Sequence, residues 1–446
     1  MILDRHEPRP PATALADELN RELDQRLAGD DARRLALYPG DATVRQPVHT
    51  VYVPADRFTA TTLTDWGDQA LELLRRHAPD SASLSKLTGL PEPAVAEVHE
   101  RVLAKLAREP VEDLRVDFED GYGQRGDVEE DEQVVVTLAQ LRTLSDEGRL
   151  PPFFGVRFKS LEAPTRHRGV DTLTTLVSGL VQQPGLPEGF VVTLPKVTSV
   201  DQVRAMVHVC ARLEDRLGLP PRSLRFEIQV ETAQAVLGAD GTAAVAPMVH
   251  AADGRCTGLH YGTFDYSAGL GITAAYQSLE HPAADHAKAV MQVAAAQTGV
   301  RLSDGSTNAV AFADGDQARD TWTLHARLVT RGLQRGYYQG WDMHPGHLPT
   351  RYLANFVFYR AALGPAAARL RAYVDQRSSE GAGVLDEPAT ARALSTALLR
   401  GIRCGAVDVD EVTRAAGLDE QELIALTRPA QPETDPFDLE SPRKQP

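Results

Sequence analysis

Short runs in which apolar and polar positions alternate recur along the chain, separated by longer stretches whose apolar residues fall at three- and four-residue spacing. Period-two alternation marks strands with one buried face, and the wider spacing marks helices that bury a stripe. Strand-like runs are HTVYVP (His49 to Pro54), LRVDFED (Leu114 to Asp120), FFGVRFK (Phe153 to Lys159) and FVVTLPK (Phe190 to Lys196). They continue as LRFEIQVET (Leu224 to Thr232), CTGLHYG (Cys256 to Gly262), a weak run near Ala309 to Ala313, and YYQGWDMHP (Tyr337 to Pro345). Stretches such as Val200 to Leu217 and Asp285 to Thr298 are long enough for crossover helices.

Eight strand-helix units predict a closed parallel sheet, an α/β fold of the (β/α)8 TIM-barrel class, with extra N-terminal and C-terminal helices. The expected organisation is a helical arm over 1–48, the barrel over 49–372, a helical extension over 373–430 and a disordered tail over 431–446. The 47 Lys and Arg against 62 Asp and Glu leave a net charge of −15, which argues against nucleic acid and anionic membrane surfaces as partners. No apolar run is long enough for a membrane span, and the charged, Pro-rich N-terminus lacks the apolar core of a signal peptide. The expected compartment is the cytoplasm. Cys210, Cys256 and Cys404 stand far apart without C-x-x-C spacing, which supports neither a disulfide framework nor a thiolate zinc site.

The alternation also sorts the charges. Leu114, Val116 and Phe118 share one face and Arg115, Asp117 and Glu119 the other; Phe226, Ile228 and Val230 likewise oppose Glu227, Gln229 and Glu231. In a barrel the apolar faces meet the helices, so the charged faces point inward and need compensation, for instance by pairing Arg115 or Arg157 with Asp117 or Glu227. The C-terminal strand ends carry Glu119, Asp120, Arg157, Lys196, Glu231, Asp265 and His344, and such barrels place their active sites at that rim. Glu231 and Asp265 offer hard oxygen ligands with no Cys or paired His beside them, which suits Mg2+ or Mn2+ better than zinc. Such an ion can polarise a 2-oxo acid. Arg157 could clamp a substrate carboxylate through its fork, Glu119 and Asp120 could move or orient a proton, Lys196 could act beside them, and His344 could close the site or bridge to a neighbouring subunit.

The segment from Gly121 to Gly126 matches G-x-G-x-x-G literally. A pyrophosphate there would face Glu119 and Asp120 on one side and Asp127, Glu129, Glu130, Asp131 and Glu132 on the other, and no second strand follows, because Leu138 to Leu144 continue the helix. Flexible glycines beside an acidic loop fit the segment better than a dinucleotide site.

Taken together, the strand-end motifs resemble those of the HpcH/HpaI aldolase and citrate lyase β-subunit superfamily. YVPA (Tyr52 to Ala55), VDFEDG (Val116 to Gly121), VRF around Arg157, LPKV around Lys196, QVETAQAV around Glu231, GTFDYSAGLG around Asp265 and MHP at Met343 to Pro345 are each similar to a family motif. The resemblance runs from about residue 49 to 360 and implies a magnesium-dependent, homo-oligomeric barrel that makes or breaks a carbon-carbon bond through an enolate. It assigns the metal to Glu231 and Asp265, and substrate binding to Arg157. The substrate would be a small 2-oxo acid or an acyl-CoA. The long first strand-helix unit, the Phe264-Asp265-Tyr266 context and the terminal helices depart from the family pattern.

That Phe-Asp-Tyr context, with Glu231-Thr232 and RHRG at Arg166 to Gly169, is also similar to malate synthase, which condenses acetyl-CoA with glyoxylate. Lys159, Arg166 and Arg168 could meet CoA phosphates or form a solvated loop. An alternative of another class is a regulator or a non-catalytic acyl-binding barrel. Asp408 to Leu426 reads as helix, turn, helix, but Asp419, Glu420 and Glu422 on its second half would repel phosphate.

Overall fold

Eight parallel strands occur in the order the periodicity predicts, β1 (His49–Pro54), β2 (Asp113–Asp117), β3 (Phe153–Arg157), β4 (Phe190–Leu194), β5 (Phe226–Val230), β6 (Cys256–Tyr261), β7 (Arg301–Ser303) and β8 (Gly340–Asp342). Consecutive strands from β1 to β7 pair with one another, and β8 pairs with β1, giving the order β7-β6-β5-β4-β3-β2-β1-β8. The computed structural model describes residues 11–41, 44–181, 185–378 and 388–427, so the expected tail over 431–446 lies outside the described residues.

Ring closure between β7 and β8 rests on a single parallel bridge, Ser303 to Gln339, with Asp304 N–H donating to the Gln339 carbonyl at 2.8 Å. The expected seventh strand near Ala309 to Ala313 is a correction: that segment is irregular and the strand lies earlier, at Arg301–Ser303. RLS is too short to show alternation, which explains why the periodicity passed over it.

Helix ends follow local chemistry. The helix Val200–Leu217 begins where Ser199 Oγ accepts from Gln202 N–H and ends at Gly218, whose φ of 66° suits a residue without Cβ. The unit between β1 and β2 is long because it holds three helices, Thr62–His77, Ser81–Thr88 and Glu92–Arg108. After β8 the helix Leu348–Ser378 closes the barrel layer and carries Pro388–Cys404, Val409–Ala416 and Glu420–Thr427 on a second apolar core that includes Leu370, Leu398 and Leu423. The acidic helix pair at Asp408 to Leu426 spends Leu423 and Leu426 on that core, and Asp408 on an ion pair with Arg101.

The sorting of faces is as expected. Leu114, Val116, Phe226, Ile228 and Val230 are fully buried toward the helices, each such side chain contributing roughly 1.5–3 kcal/mol. On the inner face Arg115 donates to Asp113 and pairs with Glu227 at 2.9 Å, and Glu227 meets His260 Nε2 at 3.2 Å. Asp113 accepts from Thr50 at 2.8 Å, and Thr50 accepts from Gln339 at 2.9 Å. The interior is therefore a continuous polar chain from the β8 side to β6, every charge in it partnered.

A second buried network fastens β8. Asp342 Oδ2 meets His49 Nδ1 at 3.0 Å, its Oδ1 meets His325 Nε2 at 3.0 Å, and Arg351 donates to both oxygens. His347 stacks on His325 at 4.3 Å between ring centroids. Burial, with His325 alongside, pushes the His347 imidazole down to about 3. The unfolded chain then gains a proton below about pH 6.5 that the native state refuses, so this residue stabilises the fold fully above pH 6.5 and loses that contribution as the pH falls toward 3. Urea unfolding of the wild type and of His347→Gln should therefore show the wild type losing ground to the variant by about 1.4 kcal/mol per pH unit between pH 6 and 4. A constant difference across that range would show that the ring titrates normally.

Candidate active site

At the C-terminal ends of β2 to β6 the chain gathers carboxylates around one ammonium. Lys196 Nζ lies 2.8 Å from Glu119 Oε1, 2.6 Å from Asp120 Oδ2 and 3.7 Å from Asp265 Oδ1. Its backbone N–H donates to Glu231 Oε1 at 2.7 Å. Both contacts depend on an uncommon backbone: Lys196 has φ 51°, left-handed geometry that L residues adopt at a cost of about 1–2 kcal/mol. Non-glycine residues held in such geometry concentrate at functional sites.

Glu231 is held in place from two sides. Thr232 caps the short helix Ala233–Val236 and ties its own hydroxyl to the Val197 carbonyl at 2.6 Å. Gly262, on the next strand end, lets the carboxylate approach, since a Cβ there would lie 2.4 Å from Glu231 Cβ and 2.6 Å from Oε2. Burial pushes the Glu231 carboxyl up to about 7 against the pull of Lys196 and Arg157, with Asp265 and Glu119 adding to the rise. Burial also raises Glu119, opposed by Arg157 and Lys196, whereas Asp120 is lowered because the Lys196 hydrogen bond and charge outweigh its burial. For Lys196, burial works against the charge, but Glu231 and Glu119 overcome it and hold the ammonium above its usual range.

Arg157 sits beneath this cluster, and its fork is taken by Asp117, one of the partners that charge compensation offered it. Nε and Nη2 donate to Asp117 at 2.7 and 2.6 Å, leaving Nη1 to face Glu119 at 3.4 Å and Gln229 at 3.5 Å. The guanidinium lies over Tyr52 at 4.8 Å and Trp341 at 5.5 Å. Asp117 also accepts the backbone N–H groups of Glu119 and Gly121, at 3.0 and 2.8 Å, so one carboxylate fixes both the arginine and the acidic loop. The bidentate clamp is thus spent within the protein, and one edge of Arg157 is left toward the mouth.

The structure brings Glu119, Asp120, Arg157, Lys196, Glu231 and Asp265 together, and places His344 differently. Its ring stacks on Phe312 at 5.1 Å, and Nδ1 accepts from Gly346 N–H as the cap of a short turn. Lys159 and Arg168 are already paired, Lys159 with Glu130 at 2.6 Å and Arg168 with Asp131 at 2.6 Å, which argues against a phosphate site there. Tyr52, Trp341 and Gln229 were given no role by the sequence, although Gln229 stands on an inward face that the alternation marks, whereas Asp117 was offered only as an ion-pair partner for Arg115 or Arg157.

The four carboxylates offer only hard oxygen donors and outnumber the single ammonium among them, which suits a divalent cation of the magnesium type. Glu231 and Asp265 are the pair the sequence nominates. His325, Asp342 and His347 also bring potential ligand atoms within 4.8 Å of one another. There the Asp342 oxygens are engaged by two histidines and by the Arg351 guanidinium, whose charge opposes a cation, so this group reads as a closed hydrogen-bond network.

A family model described as "Domain of unknown function (DUF6986)" matches residues 27–431. The chain belongs to the DUF6986 family. Among curated proteins, the L-malyl-CoA/beta-methylmalyl-CoA lyase of Haloarcula marismortui is 34% identical over 110 residues, a match spanning 25% of this chain and 29% of that relative. Among solved structures, a citrate lyase from Burkholderia xenovorans is similar over 85% of this chain and 98% of its own, at 17% identity and a TM-score of 0.55. Malate synthase of Haloferax volcanii covers 86% of this chain and 99% of its own, at 14% identity and a TM-score of 0.46. The likeness to the citrate lyase is one of fold, a parallel barrel ringed by helices. Among the described residues, no helix is long and apolar enough to cross a membrane.

The left-handed geometry of Lys196 can be separated from its charge. Lys196→Gly and Lys196→Ala both remove the ammonium, but only glycine adopts the turn freely, so the Gly variant should be more stable by about 1 kcal/mol in urea unfolding at neutral pH. Equal stabilities would contradict the turn.

Proposed function

We propose that this chain is a magnesium- or manganese-dependent carbon-carbon lyase or aldolase acting on a 2-oxo acid or an acyl-CoA. The observation that carries the reading is the cage of Glu119, Asp120, Glu231 and Asp265 around Lys196 at the mouth of the barrel. The likeness in fold to a citrate lyase and the partial match to a malyl-CoA lyase support it.

Glu231 and Asp265 would hold the cation, which when bound supplies Lewis-acid polarisation of a carbonyl or carboxylate oxygen. The remaining residues have tasks of their own. Lys196 balances the surplus of carboxylate charge and holds Glu119 and Asp120 in position. Asp120, about half exposed and kept ionised by Lys196, is placed to accept a proton from a substrate carbon. The Nη1 edge of Arg157 presents positive charge to the mouth from a site shielded from water, where it stabilises negative charge that develops on substrate oxygen. Tyr52 and Trp341 keep water from its faces.

Proton NMR in heavy water tests the reading directly by following exchange of the methyl protons of pyruvate and, separately, of acetyl-CoA with glyoxylate, each with and without magnesium. Metal-dependent exchange of pyruvate identifies a 2-oxo-acid aldolase, and exchange of acetyl-CoA alone identifies a malyl-CoA lyase or malate synthase reaction. Glu231→Ala and Asp265→Ala should each abolish metal-dependent exchange while the far-UV circular dichroism is unchanged. Full turnover in either variant would refute the assignment. Arg157→Lys should lower activity at least about tenfold, because a point charge cannot hold the two Asp117 oxygens and face the mouth at once.

A further inference from the structure

On the face of the barrel opposite the carboxylate cage, the helix Pro388–Cys404 leans across the N-terminal ends of β7 and β8 and leaves a cleft of about 170 Å³. The charge of its walls runs against that of the chain. Whereas the protein as a whole carries a net charge of −15, the described lining contributes Arg301, Arg392, Arg400 and Arg403 against one acid, Asp41. Three of these arginines come from a single helix at positions 392, 400 and 403, spacings of eight and three residues that place them along one side.

Among the described residues, these guanidinium groups are more loosely partnered than interior arginines elsewhere in this protein. Arg115, Arg157, Arg255 and Arg351 each pair with a buried carboxylate. Among the described residues no carboxylate pairs with Arg392 or Arg400, and the Arg392 Nε is buried without a hydrogen-bond partner. Arg400 rests on the Tyr338 ring at 3.9 Å, and Arg403 reaches Glu420 only at 3.9 Å. Arg301 donates to the Arg45 carbonyl at 3.1 Å. Burial lowers the Arg403 guanidinium, with neighbouring Arg400 adding to the fall, and burial likewise lowers Arg301. Several planar, donor-rich cations around one concavity are the arrangement that recognises phosphate or carboxylate oxygens through paired N–H donors.

We propose that this cleft binds a small polyanion carrying at least two phosphate or carboxylate groups, held by Arg392, Arg400 and Arg403 with Arg301 at the floor. The site lies at the other end of the barrel from Glu231 and Asp265, so its occupant is a ligand separate from the substrate.

Isothermal titration of the full chain, freed of metal on a chelating resin and kept without soluble chelator at fixed ionic strength, with inorganic pyrophosphate in one series and citrate in another, tests the proposal. Saturable binding of one equivalent is expected with at least one probe. Preference for pyrophosphate assigns the natural ligand to the organic phosphates, and preference for citrate assigns it to the polycarboxylates. Arg392→Gln, which breaks no ion pair among the described residues, should weaken binding by about tenfold, and the combined Arg392→Gln, Arg400→Gln, Arg403→Gln chain by on the order of a hundredfold or more. Glu231→Ala should bind the probe as the wild type does. The single variant keeps the test valid if the triple variant misfolds. Failure of both probes to saturate by about 10 mM, or affinity that the arginine substitutions leave unchanged, would overturn the proposal. So would binding that is lost in Glu231→Ala and kept in Arg392→Gln, since the anion would then belong to the opposite rim.

Discussion

The mouth of this barrel is organised around one buried carboxylate. Asp117 accepts four hydrogen bonds, two from Arg157 and one each from the backbone of Glu119 and Gly121. An arginine deep in a barrel is tolerable only if fully paired, and a carboxylate in the same place only if its oxygens are satisfied. Here each meets the requirement of the other, and the surplus acceptor capacity of Asp117 fastens the loop that presents Glu119 and Asp120. Gly121 belongs to the same arrangement, because a Cβ there would come within 2.5 Å of Asp117 Oδ2. The first glycine of the segment that imitates a dinucleotide fingerprint therefore serves a carboxylate, and the acidic residues around it would oppose a phosphate.

Much of this was legible in the chain because the strands are short and their alternation is clean. Period two separates Leu114 and Val116 from Arg115 and Asp117 without ambiguity, and the same rule places Glu227 and Glu231 inside the ring. The alternation offered Arg157 with Asp117 and Arg115 with Glu227 as pairs, but which of the offered pairs form could not be read. Residues 40 apart, Asp117 and Arg157, meet only once β2 and β3 are in register, and that meeting changes Arg157 from an expected substrate clamp to a largely committed side chain. Strand β7 escaped notice because three residues carry no period, and the capping contact of His344 could not be read because it depends on the turn that follows it. The left-handed backbone of Lys196 has no sequence signature at all, since lysine is an ordinary occupant of a strand end.

The protein distributes charge unevenly for reasons that differ between its two ends. At the carboxylate cage, acids from several strands converge and one lysine stands among them as a tethered counterion. At the opposite end arginines converge with little acid nearby. In the interior between them the charged groups contact one another in series, through Asp113, Arg115, Glu227 and His260.

The closure of the ring has a mechanical consequence. Strands β2 to β6 are joined by ladders of three to five paired residues, whereas the β7 and β8 segments meet through one bridge and the bonds from Asp304 N–H to the Gln339 carbonyl and from Trp341 N–H to the Gly305 carbonyl. The barrel is in effect a split ring with its cut on the side away from the carboxylate cage. Distortion applied to the ring concentrates at the cut, and the arc that carries Glu119, Lys196, Glu231 and Asp265 travels as a rigid piece.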